Sequence, residues 1–165
     1  YMSVDESILR QISEKPPSEQ TQEERGFFLP AEKRLLQILL DDQTVASQVL
    51  TKAKEDDFKG LKSEPAFKLI VENHKKGKKA AFSELFRGVE PDLSRCLSQM
   101  MLEQAKKGTE EEALDCLVSL RKILLERQLL SLQREIVRCE KNGEKDKLSR
   151  LLSQKQTLTR QILTM

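Results

Sequence analysis

Apolar residues recur along this chain at intervals of three and four, the period of amphipathic helices rather than the alternation of strands. The first such segment, Val4–Ile12, predicts a short helix capped by Asp5, with Ile8, Leu9 and Ile12 on one face. Glu14 to Gly26 then carries Pro16-Pro17 and no large apolar residue, so it cannot bury enough surface to offset chain entropy and reads as a linker. A helix separated in this way reads as the last piece of another domain. Order resumes at Phe27-Phe28-Leu29, and Pro30 suits the first turn of a helix through Leu35, Leu36, Ile38, Leu39 and Leu40. Asp42 predicts the cap of a second helix burying Val45, Val49 and Leu50, and Phe58 an anchor in the following connection. A third helix opens at Ser63-Glu64-Pro65, holds Phe67, Leu69, Ile70 and Val71 inside, and stops at Lys75-Lys76-Gly77. Short helices follow from Ser83, with Leu85 and Phe86, and from Glu90-Pro91, with Leu93, Leu97, Met100, Met101 and Leu102.

The final third differs in kind. Thr109 caps a run opened by Glu110, Glu111 and Glu112, and no Pro or Gly interrupts it before Asn142-Gly143. Leu125, Leu129, Leu132, Ile136 and Cys139 form one stripe on it, and Leu148, Leu151, Lys155, Leu158, Ile162 and Met165 form another beyond the turn. Both have the three-four spacing of a coiled-coil seam, with Lys155 the polar interruption. An antiparallel hairpin is expected, its earlier stripe (Leu114, Leu117, Leu120, Ile123, Leu124) packing on the preceding bundle. Leu130, Leu152 and Leu163 fall off the seam, and apolar residues on a protruding element mark a contact surface. The expected fold is all-α: a multi-helix bundle followed by a long C-terminal antiparallel helical hairpin. Its expected divisions are 1–13 as the end of a preceding domain, 14–28 as linker, 29–112 as bundle and 113–165 as hairpin.

Composition adds three constraints. Charged residues make up 34% and aromatic residues 4%, which demands the exposed surface that long helices offer. From Ala113 onward eleven Lys/Arg face six Asp/Glu, a balance of +5, while the remainder carries −3, so the C-terminal part suits an acidic partner surface or an ordinary solvated face. Cys96, Cys116 and Cys139 lack metal-ligand spacing and read as free thiols of a cytosolic protein, and no apolar run reaches the ~20 residues of a membrane span.

Catalytic chemistry is not expected. His74 is the one histidine and has no Ser or Cys at useful spacing, and Asp41-Asp42 and Asp56-Asp57 read as caps and turns rather than metal ligands. No glycine-rich phosphate loop is present. The cluster from His74 to Lys79 would suit phosphates, but it lacks interleaved aromatics and coincides with a helix C-terminus, where cations belong.

The order and wording of these segments resemble the C-terminal part of bacterial DnaG-type primases. Pro30–Leu40 (PAEKRLLQILL) is similar to the opening helix of that family's helicase-binding domain, and Phe58 with the helix through Phe67 and Ile70 to its next landmark. Ala113–Leu129 (ALDCLVSLRKILLERQL) and Lys147–Leu158 (KLSRLLSQKQTL) resemble its terminal hairpin, and Val4–Arg10 (VDESILR) the last helix of the RNA polymerase domain upstream. The resemblance implies a non-catalytic module, without cofactor or metal, that docks on the hexameric replicative DNA helicase. Docking recruits primase to the fork for RNA primer synthesis and modulates the helicase. The free module is expected to be mostly monomeric and cytoplasmic, with no membrane role, and a nucleic-acid-binding domain stays the less favoured class. The expected contact residues lie on the second hairpin helix: Leu151, Leu152, Lys155, Leu158, Gln161 and Ile162. The alternatives are the N-terminal domain of the helicase itself, which is similar to the bundle, and a generic helical-hairpin adaptor.

Overall fold

The structure, a computed structural model, describes residues 28–79 and 81–165. The helix expected over Val4–Ile12 and nearly all of the linker lie outside the described residues. Among those described, the chain is all-α, with no strand. Its elements are α1 (Pro30–Asp41), α2 (Gln43–Lys52), a 3-10 turn (Glu55–Phe58), α3 (Glu64–Lys75), α4 (Phe82–Gly88), α5 (Pro91–Leu102), α6 (Glu110–Asn142) and α7 (Lys145–Leu163).

Local chemistry places most of these ends. Pro30 and Pro91 open α1 and α5, where a missing N–H costs nothing. Asp42 stops α1 and starts α2, its Oδ1 accepting from the N–H groups of Thr44 at 2.9 Å and Val45 at 3.3 Å. Those two bonds, Val45 foremost, hold the Asp42 carboxyl below its ordinary range. Thr109 caps α6 in the same way, accepting from the Glu112 N–H at 3.2 Å. Ser63, placed at the start of α3, does something else. It is fully buried, and its N–H and hydroxyl both donate to Oε1 of Glu32, whose Oε2 accepts from the Leu29 N–H at 3.0 Å. A buried carboxylate is tolerated here because three donors replace its water. The bond joins the beginnings of α1 and α3, which are otherwise far apart in sequence.

The bundle core is one cluster drawn from every element up to the first half of α6. Leu35, Leu36, Phe67, Leu85, Leu97, Ala113 and Leu120 are completely inaccessible, and Phe58 stacks on Phe67 with ring centroids 4.2 Å apart. Phe58 is therefore the anchor that its position suggests. Of the apolar residues ending α5, only Met100 goes inside; Met101 and Leu102 face solvent. Gly108 brings the connection to α6 so close over α1 that a methyl group there would overlap the Ile38 side chain.

A second, smaller core holds Leu132, Ile136, Cys139 and Leu151, with Leu148 and Leu158 half-covering it. It lies wholly between α6 and α7, the antiparallel hairpin that the two stripes predict. The boundary expected between residues 112 and 113 follows the start of the long helix. The cores divide further along it: Ala113, Leu117 and Leu120 belong to the bundle, with Leu124 packed against them. The helix thus packs on both bodies, as its two stripes predict, except that Ile123, expected against the bundle, is half-buried and belongs to neither core.

Two arginines fasten α6 to the bundle. Arg34 of α1 grips Glu112 through Nε (2.6 Å) and Nη2 (2.9 Å) and donates to the Lys106 carbonyl at 3.0 Å. The hydrogen bond from Arg34 is the main reason that the Glu112 carboxyl sits below its ordinary range. A carboxyl depressed in the folded state adds stability above its unfolded value and loses that contribution as pH falls through the folded one. Urea stability should therefore decline as pH drops below the ordinary glutamate value of about 4.3, and Glu112→Gln should make that decline shallower. Superimposable acid profiles for parent and variant would show that the pair contributes nothing.

Candidate docking surface of the hairpin

The hairpin tip is set by Asn142-Gly143. Gly143 adopts φ 71°, the left-handed conformation in which a side chain is strained, and the Glu144 N–H returns to the Cys139 carbonyl at 3.1 Å. From there α7 runs back along α6 with its seam inward. The six expected contact residues divide between that seam and the surface. Leu151 is buried; Lys155, Leu158 and Ile162 are half-buried; Leu152 is 44% exposed and Gln161 is exposed. Half-burial suits Lys155 at the polar interruption of the stripe, since a long cation can lay its stem along an apolar strip and keep its charge in water.

Leu158 and Gln161 line a groove of about 780 Å³ along one side of the hairpin. Its walls mix the apolar side chains of Leu132 and Leu158 with amides, hydroxyls and one ion of each sign: Gln128, Ser131 and Glu135 of α6 with Arg150, Ser153, Gln154 and Thr157 of α7. Leu151, Leu152, Lys155 and Ile162 do not enter it. The candidates therefore form no single face: the groove takes two, the seam most of the remainder, and Leu152 points away.

At the root of the hairpin a second arginine clamp was not foreseen. Arg121 donates to both oxygens of Asp57, from Nε and Nη2 at 2.7 Å each, and to the Lys52 carbonyl at 3.1 Å. Asp57 also accepts from the Lys54 N–H at 2.7 Å and is only 8% exposed. The hydrogen bond to Asp57 is the main influence raising the Arg121 pKa above its ordinary value. Asp57 reads locally as one acid of a solvated turn; only its nonlocal partner makes it structural. The clamp lines a cleft of about 450 Å³ shared by Lys54 of the bundle, Leu125 of α6, and Gln161 and Met165 at the end of α7. Gln161 thus belongs to two concavities, and it is the one candidate that lines the cleft shared with the bundle.

Chemistry beyond docking is thin among the described residues. No group of His, Cys, Asp and Glu could hold a metal ion there. Cys96, Cys116 and Cys139 are free, and burial pushes the Cys116 thiol up, away from the reactive thiolate. Of the basic cluster after α3, Lys75 is engaged by Glu55. No helix among the described residues is long and apolar enough to cross a membrane.

The described residues define a class of protein, an all-α bundle from which a long antiparallel hairpin projects on a helix shared by both. No family model, curated protein or solved structure matches the chain.

Removing Arg121 leaves a largely buried carboxylate without its cation, a change that typically costs 3–5 kcal/mol for a fully buried pair and less where water reaches one partner. With the Arg121 side chain 30% exposed, Arg121→Ala should cost about 2–3 kcal/mol in urea unfolding. A loss within ~0.5 kcal/mol, the range of an ordinary surface change, would show that the clamp is idle.

Proposed function

We propose that this chain is the helicase-docking module of a bacterial DnaG-type primase, working in the cytoplasm at the replication fork. One observation supports this reading above the others: the hairpin is an incomplete body. Its core holds four buried residues, while Leu152 and Leu163 of α7 stay 44% and 80% exposed on a projecting element. Such apolar surface, flanked by the net positive charge of the C-terminal half, suits a helical partner surface. The resemblance of Pro30–Leu40, Ala113–Leu129 and Lys147–Leu158 to primase sequences supplies the identity of that partner, the hexameric replicative helicase. The bundle, with a complete core of its own, would be the part that influences helicase activity once the hairpin has docked.

Within this reading Lys155 and Gln161 are the cleaner probes, because Lys155 is the one polar interruption of the seam and Gln161 is exposed. Leu151, Leu158 and Ile162 also hold the hairpin together, and truncating them would confuse folding with binding.

The test is calorimetric titration of the chain into bacterial replicative helicases, with a second form ending after Gln128 that keeps all the α6 residues of the bundle core. Binding by the complete chain and none by the shortened one is expected. Lys155→Ala and Gln161→Ala should each cost more than ~1 kcal/mol of binding with the helical content unchanged. If both variants bind like the parent, the α7 face is misassigned. If the folded, complete chain binds no helicase, the primase reading fails and the generic adaptor takes its place.

A further inference from the structure

The back of α6, opposite the seam, carries a second ordered line of side chains. Ile123, Arg127, Leu130, Arg134, Val137 and Lys141 follow one another at intervals of 4, 3, 4, 3 and 4. That average is the helical repeat itself, so the line runs straight along the axis for about 27 Å instead of drifting around it. Leu130 is 55% and Val137 49% exposed, and neither belongs to either core. Among the described residues no ion pair or side-chain hydrogen bond engages Arg127, Arg134 or Lys141, although five other cations take acids on other elements within 3 Å. The acids of this stretch, Glu126, Glu135 and Glu140, lie off the line.

We infer that this stripe is a docking surface for an acidic amphipathic helix, one with aliphatic residues interleaved with Asp or Glu at the same three- and four-residue spacing. Charge complementarity selects that occupant. A second copy of the chain meeting this line in an isologous contact would bring three further cations and no acid of the line to neutralise them, and like charges so gathered are repelled. A nucleic-acid backbone would satisfy the cations but leave Leu130 and Val137 against phosphate, and no aromatic residue stands beside them for base stacking. An anionic membrane surface favours an apolar face segregated from its cations, whereas here the two alternate along one line. A helix of alternating apolar and acidic residues satisfies both kinds of position at once. The stripe lies on the opposite side of α6 from α7, so its occupancy is compatible with docking through α7 and independent of which protein docks there.

The probe is a synthetic helical peptide with Leu and Glu alternating at that spacing in an Ala/Gln host, alongside a version with Lys in place of Glu. Binding to the complete chain is read by fluorescence anisotropy and mapped by amide chemical shifts. The chain should bind the Leu/Glu peptide in a salt-sensitive manner, with shifts centred on Leu130 to Val137. Leu130→Ser/Val137→Ser should weaken binding by about tenfold or more. Arg127→Glu/Arg134→Glu should lose the Leu/Glu peptide and gain the Leu/Lys one. All four positions are exposed or off the cores, and circular dichroism checks that the fold is kept. Shifts centred instead on Leu152 and Leu163, affinity unchanged by the charge swap, or tighter binding of duplex DNA at the same arginines would each overturn the assignment.

Discussion

An unbroken helix turns through about 100° with each residue, and this fixes how α6 can serve two cores at once. Its bundle stripe is Ala113, Leu117, Leu120 and Leu124; its hairpin core takes Leu132, Ile136 and Cys139, on the line that begins at the very next residue, Leu125, half-buried at the root cleft. The step of one residue rotates the buried face by roughly a quarter turn. The hairpin therefore leaves the bundle sideways instead of prolonging its core. With α7 on one side of the upper half of α6, the opposite side is left open. The seam, the root cleft and the outer stripe all take their places from that single change of face.

Rigidity at the root is a matter of polar contacts as much as packing. Hydrophobic burial is non-directional and would let α6 slide or roll over α1 with little penalty. The forked contacts of Arg34 with Glu112 and of Arg121 with Asp57 are directional, and the two pairs sit on α6 well apart, one in its first turn and one just before the change of face. Together they hold the helix in one register and one rotation. The Glu32–Ser63 bond plays the corresponding part within the bundle, fixing where α3 starts relative to α1. Among the described residues no buried side-chain nitrogen or oxygen lacks a partner, as such a polar framework requires.

What the sequence discloses here is what depends on neighbours in the chain. The Asp42 and Thr109 caps, the Gly143 turn and the seam from Leu132 to Cys139 each follow from a few adjacent residues, and the structure has them; Leu125 and Leu129, expected on the same seam, are only half-buried and belong to neither core. Glu32, Asp57 and Arg121 were hidden, because a charged residue at a turn or helix face looks solvated until its partner arrives from 31 or 64 positions away. Met101 and Leu102 show the reverse: apolar residues in a helical run that tertiary structure leaves outside. The candidate residues on α7 divide between seam and surface for the same reason. A seam is periodic and can be read, but which of its neighbours stay exposed depends on how two helices roll against each other. That is why Leu151 is covered, Leu152 open and Gln161 drawn toward the bundle.

The one-residue step at Leu124-Leu125 also bears on how such a molecule diverges. Side-chain replacements on the hairpin alter what it can hold; they leave its bearing unchanged. A single codon gained or lost between the two stripes would do the opposite, swinging the whole hairpin about the helix axis by roughly 100° and shifting its tip by about 1.5 Å while leaving the composition of both cores intact. The clamp at Arg121 stays on the bundle side of that joint and would survive the change. Length, at this one place in the chain, is the variable through which an unaltered contact surface could be aimed at a differently placed partner.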